Sequence, residues 1–299
     1  MPDAQARGFR PFRSDSARER YLAHCTKMEG SWLIDSDART VVTDYGTTFI
    51  RVSGDDNRPP LVLLPGATTN SLCWTNVIES LSARFRTYAV DAIYDAGRSV
   101  PSRPLTKVDD LTSWLDDLLD ELGLTGGVNM MGLSYGAYAV GEYLLHAPQR
   151  LRKVVWLSPA MTVAPISRGF LLHAVPMIVP LRPAYVSFIG WVMPYMKASD
   201  DRTFDRLVDE LWLARQCYGP VSLPGGRAFS DNELSEIEVP VLYLCGDRDR
   251  VCDDPRKVVE HLNRVAPRIQ TSLIPDAGHD AVAIRPSEVS EKALAFLEA

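Results

Sequence analysis

Residues Gly132-Leu133-Ser134-Tyr135-Gly136 follow a short apolar run (Val128, Met130, Met131) and precede small and apolar residues at helical spacing (Ala137, Val140, Gly141, Leu144). The pattern predicts a strand, a very tight turn and a helix. A serine hydroxyl is a poor nucleophile, so it must project from a sharp turn where a base can reach it. Glycines two residues either side let strand and helix pass without Cβ clashes. In that setting the five residues read as a G-x-S-x-G nucleophile elbow.

Such a serine needs a base, and the base an orienting acid. Of five histidines, His24 reads as a partly exposed surface residue, His146 points to the far end of the helix after Ser134, His173 lies in a segment without strand pattern, and His261 sits in a polar helix. His279 lies in Asp276-Ala277-Gly278-His279-Asp280, directly after a predicted strand. Functional groups of open α/β sheets collect at such strand ends, which makes His279 the candidate base. For the acid, Gly246-Asp247-Arg248-Asp249-Arg250-Val251 closes the preceding strand. Asp249 is placed to turn its carboxylate back toward His279; Asp247 is the rival, and Asp253 and Asp280 are weaker. An oxyanion needs backbone N–H donors. Tyr135, at a helix N-terminus, and Ala67, after Pro65-Gly66, are the candidates.

The flanking sequence supplies the elements. Residues 1–13 read as a flexible tail, and a helix is predicted from Ser14 to about Trp32. Arg39–Asp44 and Thr47–Val52 read as an antiparallel hairpin at a sheet edge. Pro60–Leu64 and Thr87–Ala92 read as buried strands, with a helix from Trp74 to about Phe85 between them. Asp109 or Asp110 is expected to cap an amphipathic helix carrying Leu111, Leu115, Leu118 and Leu122. Strands follow at Lys153–Leu157, Val239–Cys245 and Gln270–Ile274, and helices at Pro255–Val265 and from Pro286 to about Leu297. Alternating strands and helices indicate an α/β class with a mostly parallel sheet. Residues 161–235 carry no strand pattern. The expected organisation is an N-terminal tail and helix over 1–38, a core over 39–160 and 236–299, and a helical cap over 161–235.

Composition bounds the function. A chain of 299 residues with 46% hydrophobic content can build one large domain or a core with a small accessory part. The net charge of −6 argues against a nucleic-acid partner and offers no basic patch for anionic membranes. Cys25, Cys73, Cys217, Cys245 and Cys252 form no C-x-x-C pair, so no metal site or disulfide framework is expected, only reduced, buried thiols. The N-terminus has no apolar stretch of the secretory kind, so a cytoplasmic location is expected. Leu171–Met196 is strongly apolar but broken by prolines and Arg182; it is read as buried or cleft-lining helices, not a membrane span.

Several stretches resemble the α/β-hydrolase superfamily: L-V-L-L-P-G-A at Leu61–Ala67, A-V-D-x(5)-G-R-S at Ala89–Ser99, G-L-S-Y-G at Gly132–Gly136, V-P-V-L-Y-L-C-G-D-R-D at Val239–Asp249 and A-G-H at Ala277–His279. The long N-terminal helix and the W-T-N-V…R-T-Y-A-V-D stretch look like compact bacterial carboxylesterases of the naproxen-esterase type. The resemblance implies an α/β-hydrolase fold, an eight-stranded and mostly parallel sheet with an inserted helical cap. It implies Ser134 as nucleophile, His279 as base, Asp249 as acid, Ala67 and Tyr135 as oxyanion donors, and no cofactor or metal. Asp91 is more often structural in that family. One departure stands out: many relatives have His-Gly where this chain has Pro65-Gly66, so hydrogen bonding in that loop must differ. Aromatic and methionine residues of 161–235 suggest an apolar cleft, with Trp191, Tyr195 and Met196 expected against substrate. The activity expected is hydrolysis of an apolar small-molecule carboxylic ester, lactone or thioester through an acyl-enzyme. Acyl transfer, cyclisation or thioesterase chemistry with the same residues, and a non-catalytic binder on this fold, are the alternatives.

Overall fold

The computed structural model describes residues 11–179, 181–199, 201–219 and 223–299. Among the described residues nine strands form one sheet: β1 (Asp37–Thr43), β2 (Gly46–Ser53), β3 (Pro60–Leu64), β4 (Arg86–Val90), β5 (Val100–Pro101), β6 (Val128–Leu133), β7 (Leu151–Leu157), β8 (Val241–Gly246) and β9 (Gln270–Ile274). Eight of them run in the order β1-β2-β4-β3-β6-β7-β8-β9. From β4 to β9 every pairing is parallel, while the β1–β2 hairpin and the β2–β4 pair are antiparallel. The ninth strand is an addition to the eight expected. β4 ends opposite Ile50, and β5 pairs with the length of β2 beyond it, at Gly46 and Thr47.

The continuous apolar run in β3 splits between two layers because successive side chains alternate across a sheet. Val62 and Leu64 pack into one core with α3 (Val108–Glu121), α4 (Tyr135–His146) and α10 (Pro255–Val265). Leu61 and Leu63 pack into the other with α2 (Ile78–Ser82) and α12 (Pro286–Glu298). The first helix, α1 (Asp15–Met28), is capped by the Ser14 hydroxyl, which accepts from the Ala17 amide.

Between β7 and β8 stand α5 (Arg168–Ala174), α6 (Arg182–Val192), α7 (Pro194–Ser199), α8 (Asp201–Cys217) and α9 (Asp231–Ser235). Phe188, Ile189, Val192, Met196, Phe204 and Val208 form their shared core. The helix α1 packs on α8 through Tyr21, Cys25, Ala214 and Cys217. A four-residue helix, α11 (Ala281–Ile284), leads into α12. Among the described residues no helix is long and apolar enough to cross a membrane.

Four expectations are corrected or refined. The tail expected over 1–13 lies outside the described residues up to position 10, but Phe12 bridges Tyr218, with the Arg13 amide on the Cys217 carbonyl and the Gly219 amide on that of Pro11. The apolar spacing from Trp74 to Phe85 reported one buried face, not one helix: a 3-10 turn over Ser71–Trp74 precedes the five residues of α2. The turn starts early because Asn70 caps the Leu72 amide and Asp91 accepts from the Ser71 amide. The N-cap position of α3 is Lys107, and Asp110 caps the helix from its first turn, its carboxylate accepting from the Thr106 and Lys107 amides. Finally, the apolar stretch 171–196 is not uniformly buried, since Leu171, Leu172, Val175, Ile178, Val179 and Leu181 are exposed.

Candidate active site

Ser134 alone makes the turn between β6 and α4, with φ 54° and ψ −116°. A non-glycine residue there costs on the order of 1–3 kcal/mol and persists only where its surroundings hold it. Its amide donates to the Leu157 carbonyl at 2.9 Å, and its own carbonyl accepts from Ala137 at 3.0 Å and Ala160 at 3.3 Å. A Cβ at Gly132 would collide with the Gly136 backbone, and one at Gly136 with the carbonyls of Leu64 and Pro65. The second glycine therefore serves the passage of α4 against the end of β3 as well as the turn.

The loops after β8 and β9 meet this turn. His279 Nε2 is 2.9 Å from Ser134 Oγ, and His279 Nδ1 is 2.9 Å from Asp249 Oδ2. Asp249 Oδ1 accepts from the Val251 amide at 2.8 Å. The two loops are stitched together by Asp247 N donating to the Ile274 carbonyl and Arg248 N to that of Ala277. Of the two aspartates the sequence left open, Asp249 faces His279, whereas Asp247 accepts from Arg256 at 2.9 Å. Asp280 accepts from the Met196 and Gly278 amides, and Asp253 lines an outer cleft. Burial by itself pulls the His279 pKa down, but attraction and a hydrogen bond from the Asp249 carboxylate, with Asp280 adding to them, leave it above the ordinary histidine value.

The loop after β3 passes directly beside the serine: a Cβ on Gly66 would lie 3.4 Å from that of Ser134. The amides of Ala67 and Tyr135 donate to no other group among the described residues. Thr68 takes a positive φ of 62° and donates its amide to Asp95 Oδ2. Asp95 Oδ1 accepts from the Ala96 amide at 2.7 Å, and Thr69 closes the turn by bonding the Gly66 carbonyl through both its amide and its hydroxyl. These bonds organise the loop that begins at Pro65-Gly66. Burial pushes the Asp95 carboxyl up to about 6 despite its two amide donors. Sequence reasoning passed over Asp95; a second aspartate four residues beyond Asp91, in the same loop, was the available signal. Asp91 is structural, accepting from the Ser71 and Arg98 amides.

A profile of the alpha/beta hydrolase family matches residues 61–292. The chain belongs to the alpha/beta hydrolase family. It is 30% identical over 287 residues to a Bacillus subtilis protein named uncharacterized carboxylesterase nap, covering 94% of this chain and 93% of that protein. It is 31% identical over 273 residues to carboxylesterase YbfK of the same organism, covering 89% of each. Among solved structures it is similar to naproxen esterase (carboxylesterase NP) from Bacillus subtilis, with a TM-score of 0.86 at 29% identity, covering 95% of this chain and 99% of that one.

In this member of the family, Ser134, His279 and Ala67 border two cavities. The larger, of about 700 Å³, is walled by apolar side chains, among them Phe170, Tyr185, Phe188, Ile189, Val192 and Leu211. The smaller, of about 270 Å³, is lined by Leu72, Met196, Leu207, Val282 and the carboxyl of Glu210. Of the residues expected against substrate, Met196 lines the smaller cavity. Trp191 and Tyr195 border neither, facing instead an outer cleft with Asp247 and Arg256. Helix α6 turns Tyr185, Phe188, Ile189 and Val192 inward, and Trp191 stacks on His173 at 4.2 Å between ring centroids. Composition marked the helix as apolar but did not say which face was inward. Glu210 was missed altogether. It accepts from Asn70 Nδ2 at 2.9 Å, and burial pushes its carboxyl up to about 7.

Proposed function

We propose that this chain is a serine carboxylesterase that cleaves small apolar esters through an acyl-enzyme on Ser134. The observation that carries the reading is the hydrogen-bonded chain Ser134–His279–Asp249, beside two amides with no other acceptor. Ser134 Oγ attacks the ester carbonyl as His279 Nε2 takes its proton. The Ala67 and Tyr135 amides receive the oxyanion, and His279 returns the proton to the departing alkoxide. Water, activated by the same imidazole, then releases the acid. Asp249 stays ionised, holds the ring and stabilises its cation. Residues 161–235 act as a cap whose inner faces wall the apolar cavity, and the carboxylesterase names of the relatives agree with an ester substrate.

The test is hydrolysis of p-nitrophenyl esters of increasing acyl length by wild type and Ser134→Ala, with fluorophosphonate labelling of both. Turnover is expected to fall by roughly 10³-fold or more in the variant, with labelling lost. The chain-length optimum sizes the cavity. Folded wild-type protein showing neither labelling nor turnover overturns the proposal.

A further inference from the structure

Eight large apolar side chains are exposed among the described residues, and six of them lie between positions 171 and 181: Leu171, Leu172, Val175, Ile178, Val179 and Leu181. Ile178 is 77% exposed and Leu172 71%. Exposed apolar residues on a monomer are ordinarily scattered singly, and a cluster of this kind marks a surface that meets something apolar. The same segment has an inner face. Phe170, Ala174 and Met177 line the larger cavity that leads to Ser134. One layer of chain therefore separates the outer apolar patch from the cavity.

The charge nearest the patch along α5 is a cation: Arg168 stands one helical turn before Leu171 and Leu172. Positions 161–199 contain Arg168, Arg182 and Lys197 and no Asp or Glu, and the acids that follow, Asp200, Asp201, Asp205 and Asp209, are interspersed with Arg202 and Arg206. Arg182 is paired with Asp209 at 2.6 Å. Arg168 is exposed and has no ion pair among the described residues, and Lys197 is exposed. Net charge summed over the sequence conceals the unpaired Arg168 beside these apolar side chains.

We propose that the outer face of α5 and the turn leading into α6 docks on an anionic lipid surface. The aliphatic side chains enter the acyl boundary while the cations meet lipid headgroups, which places the wall of the larger cavity against the phase where apolar esters accumulate. A second copy of the chain suits the patch less well, because the segment 161–199 offers no acid to Arg168 across a two-fold contact made through itself. The docking goes beyond the esterase reading, and binding is measured without turnover, so the two fail separately.

The experiment is co-sedimentation of the full chain with vesicles of phosphatidylcholine alone and of phosphatidylcholine with phosphatidylglycerol, at low and high salt. Wild type is expected to partition about fivefold or more in favour of the anionic vesicles, with the preference lost at high salt. The double variant Leu172→Glu, Ile178→Glu is expected to bind at least about tenfold more weakly. Because both positions are exposed, it should hydrolyse a water-soluble acetate ester like wild type. Wild type that stays in the supernatant with anionic vesicles at low salt overturns the proposal, as does a double variant that sediments like wild type. A concentration-dependent dimer seen by light scattering, abolished in the variant and unaccompanied by vesicle binding, also overturns it and assigns the patch to a second copy.

Discussion

His279 is buried at the border of the two cavities, and burial alone would lower its affinity for a proton. The carboxylate of Asp249, 2.9 Å from Nδ1, reverses that tendency. The base must be neutral to accept the serine proton, so activity is expected to rise with pH through an apparent pKa above the ordinary value of about 6.5, read as the acid limb of kcat/KM. Asp249→Asn removes the attraction and leaves the burial. The acid limb should therefore move to lower pH, while kcat falls by roughly 10³- to 10⁴-fold because the ring loses its orientation. An acid limb unchanged in the variant would mean that Asp249 does not set the histidine pKa.

At the scale of elements, the site is a meeting of loops at strand ends, and each loop is held by groups that take no part in chemistry. The loop after β3 depends on Asp95, which gathers the Thr68 and Ala96 amides from inside the protein. Asp95→Ala leaves those amides without their acceptor and frees a loop whose Ala67 N–H must sit within hydrogen-bond reach of the oxyanion. Displacement by about 1 Å at such a donor costs on the order of 10²-fold in rate. The expected outcome is a fall of about ten- to a hundredfold in kcat with a smaller change in KM, measured on a short-chain p-nitrophenyl ester. An equal loss from KM alone would place Asp95 in substrate binding instead of loop positioning.

At the scale of the molecule, the helices between β7 and β8 are tied to the rest of the protein by polar contacts such as Ser167 with Arg250, Met196 with Asp280 and Tyr218 with Gly97, and Glu210 on α8 makes another with Asn70. The ordinary carboxyl value of 4.5 is raised to about 7 in the folded protein, chiefly by burial. The folded state therefore holds the proton more tightly than the unfolded chain. The favourable contribution is complete below the ordinary value and is lost as pH rises through about 7. Relative to Glu210→Gln, wild type should lose stability between pH 5 and pH 8, by on the order of 1–3 kcal/mol, measured by thermal or denaturant unfolding at both pH values. A difference that stays constant with pH would show that the Glu210 carboxyl is not shielded from water in the folded protein. The clasp of α1 on α8 is an apolar tie, extended by Phe12 and Tyr218 just outside the two helices, whose ring centroids lie 4.3 Å apart.

The alternation of apolar strands with amphipathic helices, the glycines around Ser134 and the placement of His279 just past a strand are all local patterns. Local physics decides them: the steric room a glycine leaves, the period of a helix, the burial of a strand on both faces. That is why β3, β9 and α10 are legible to the residue in the sequence. What lay beyond it were choices between equivalent residues that depend on what arrives from elsewhere in the chain. Asp247 and Asp249 are two residues apart in one loop, and only the arrival of His279, thirty residues on, separates the partner of a histidine from the partner of Arg256. Which face of α6 is inward, that Asp95 is a buried carboxyl and that Glu210 is a half-buried one likewise follow from packing that brings residues 67, 95 and 210 beside Ser134. The chemistry available was written locally; the assignment of each acid, and the shape of the cavity it serves, were decided by tertiary contact, because a carboxylate acquires its role from its neighbours and its distance to water.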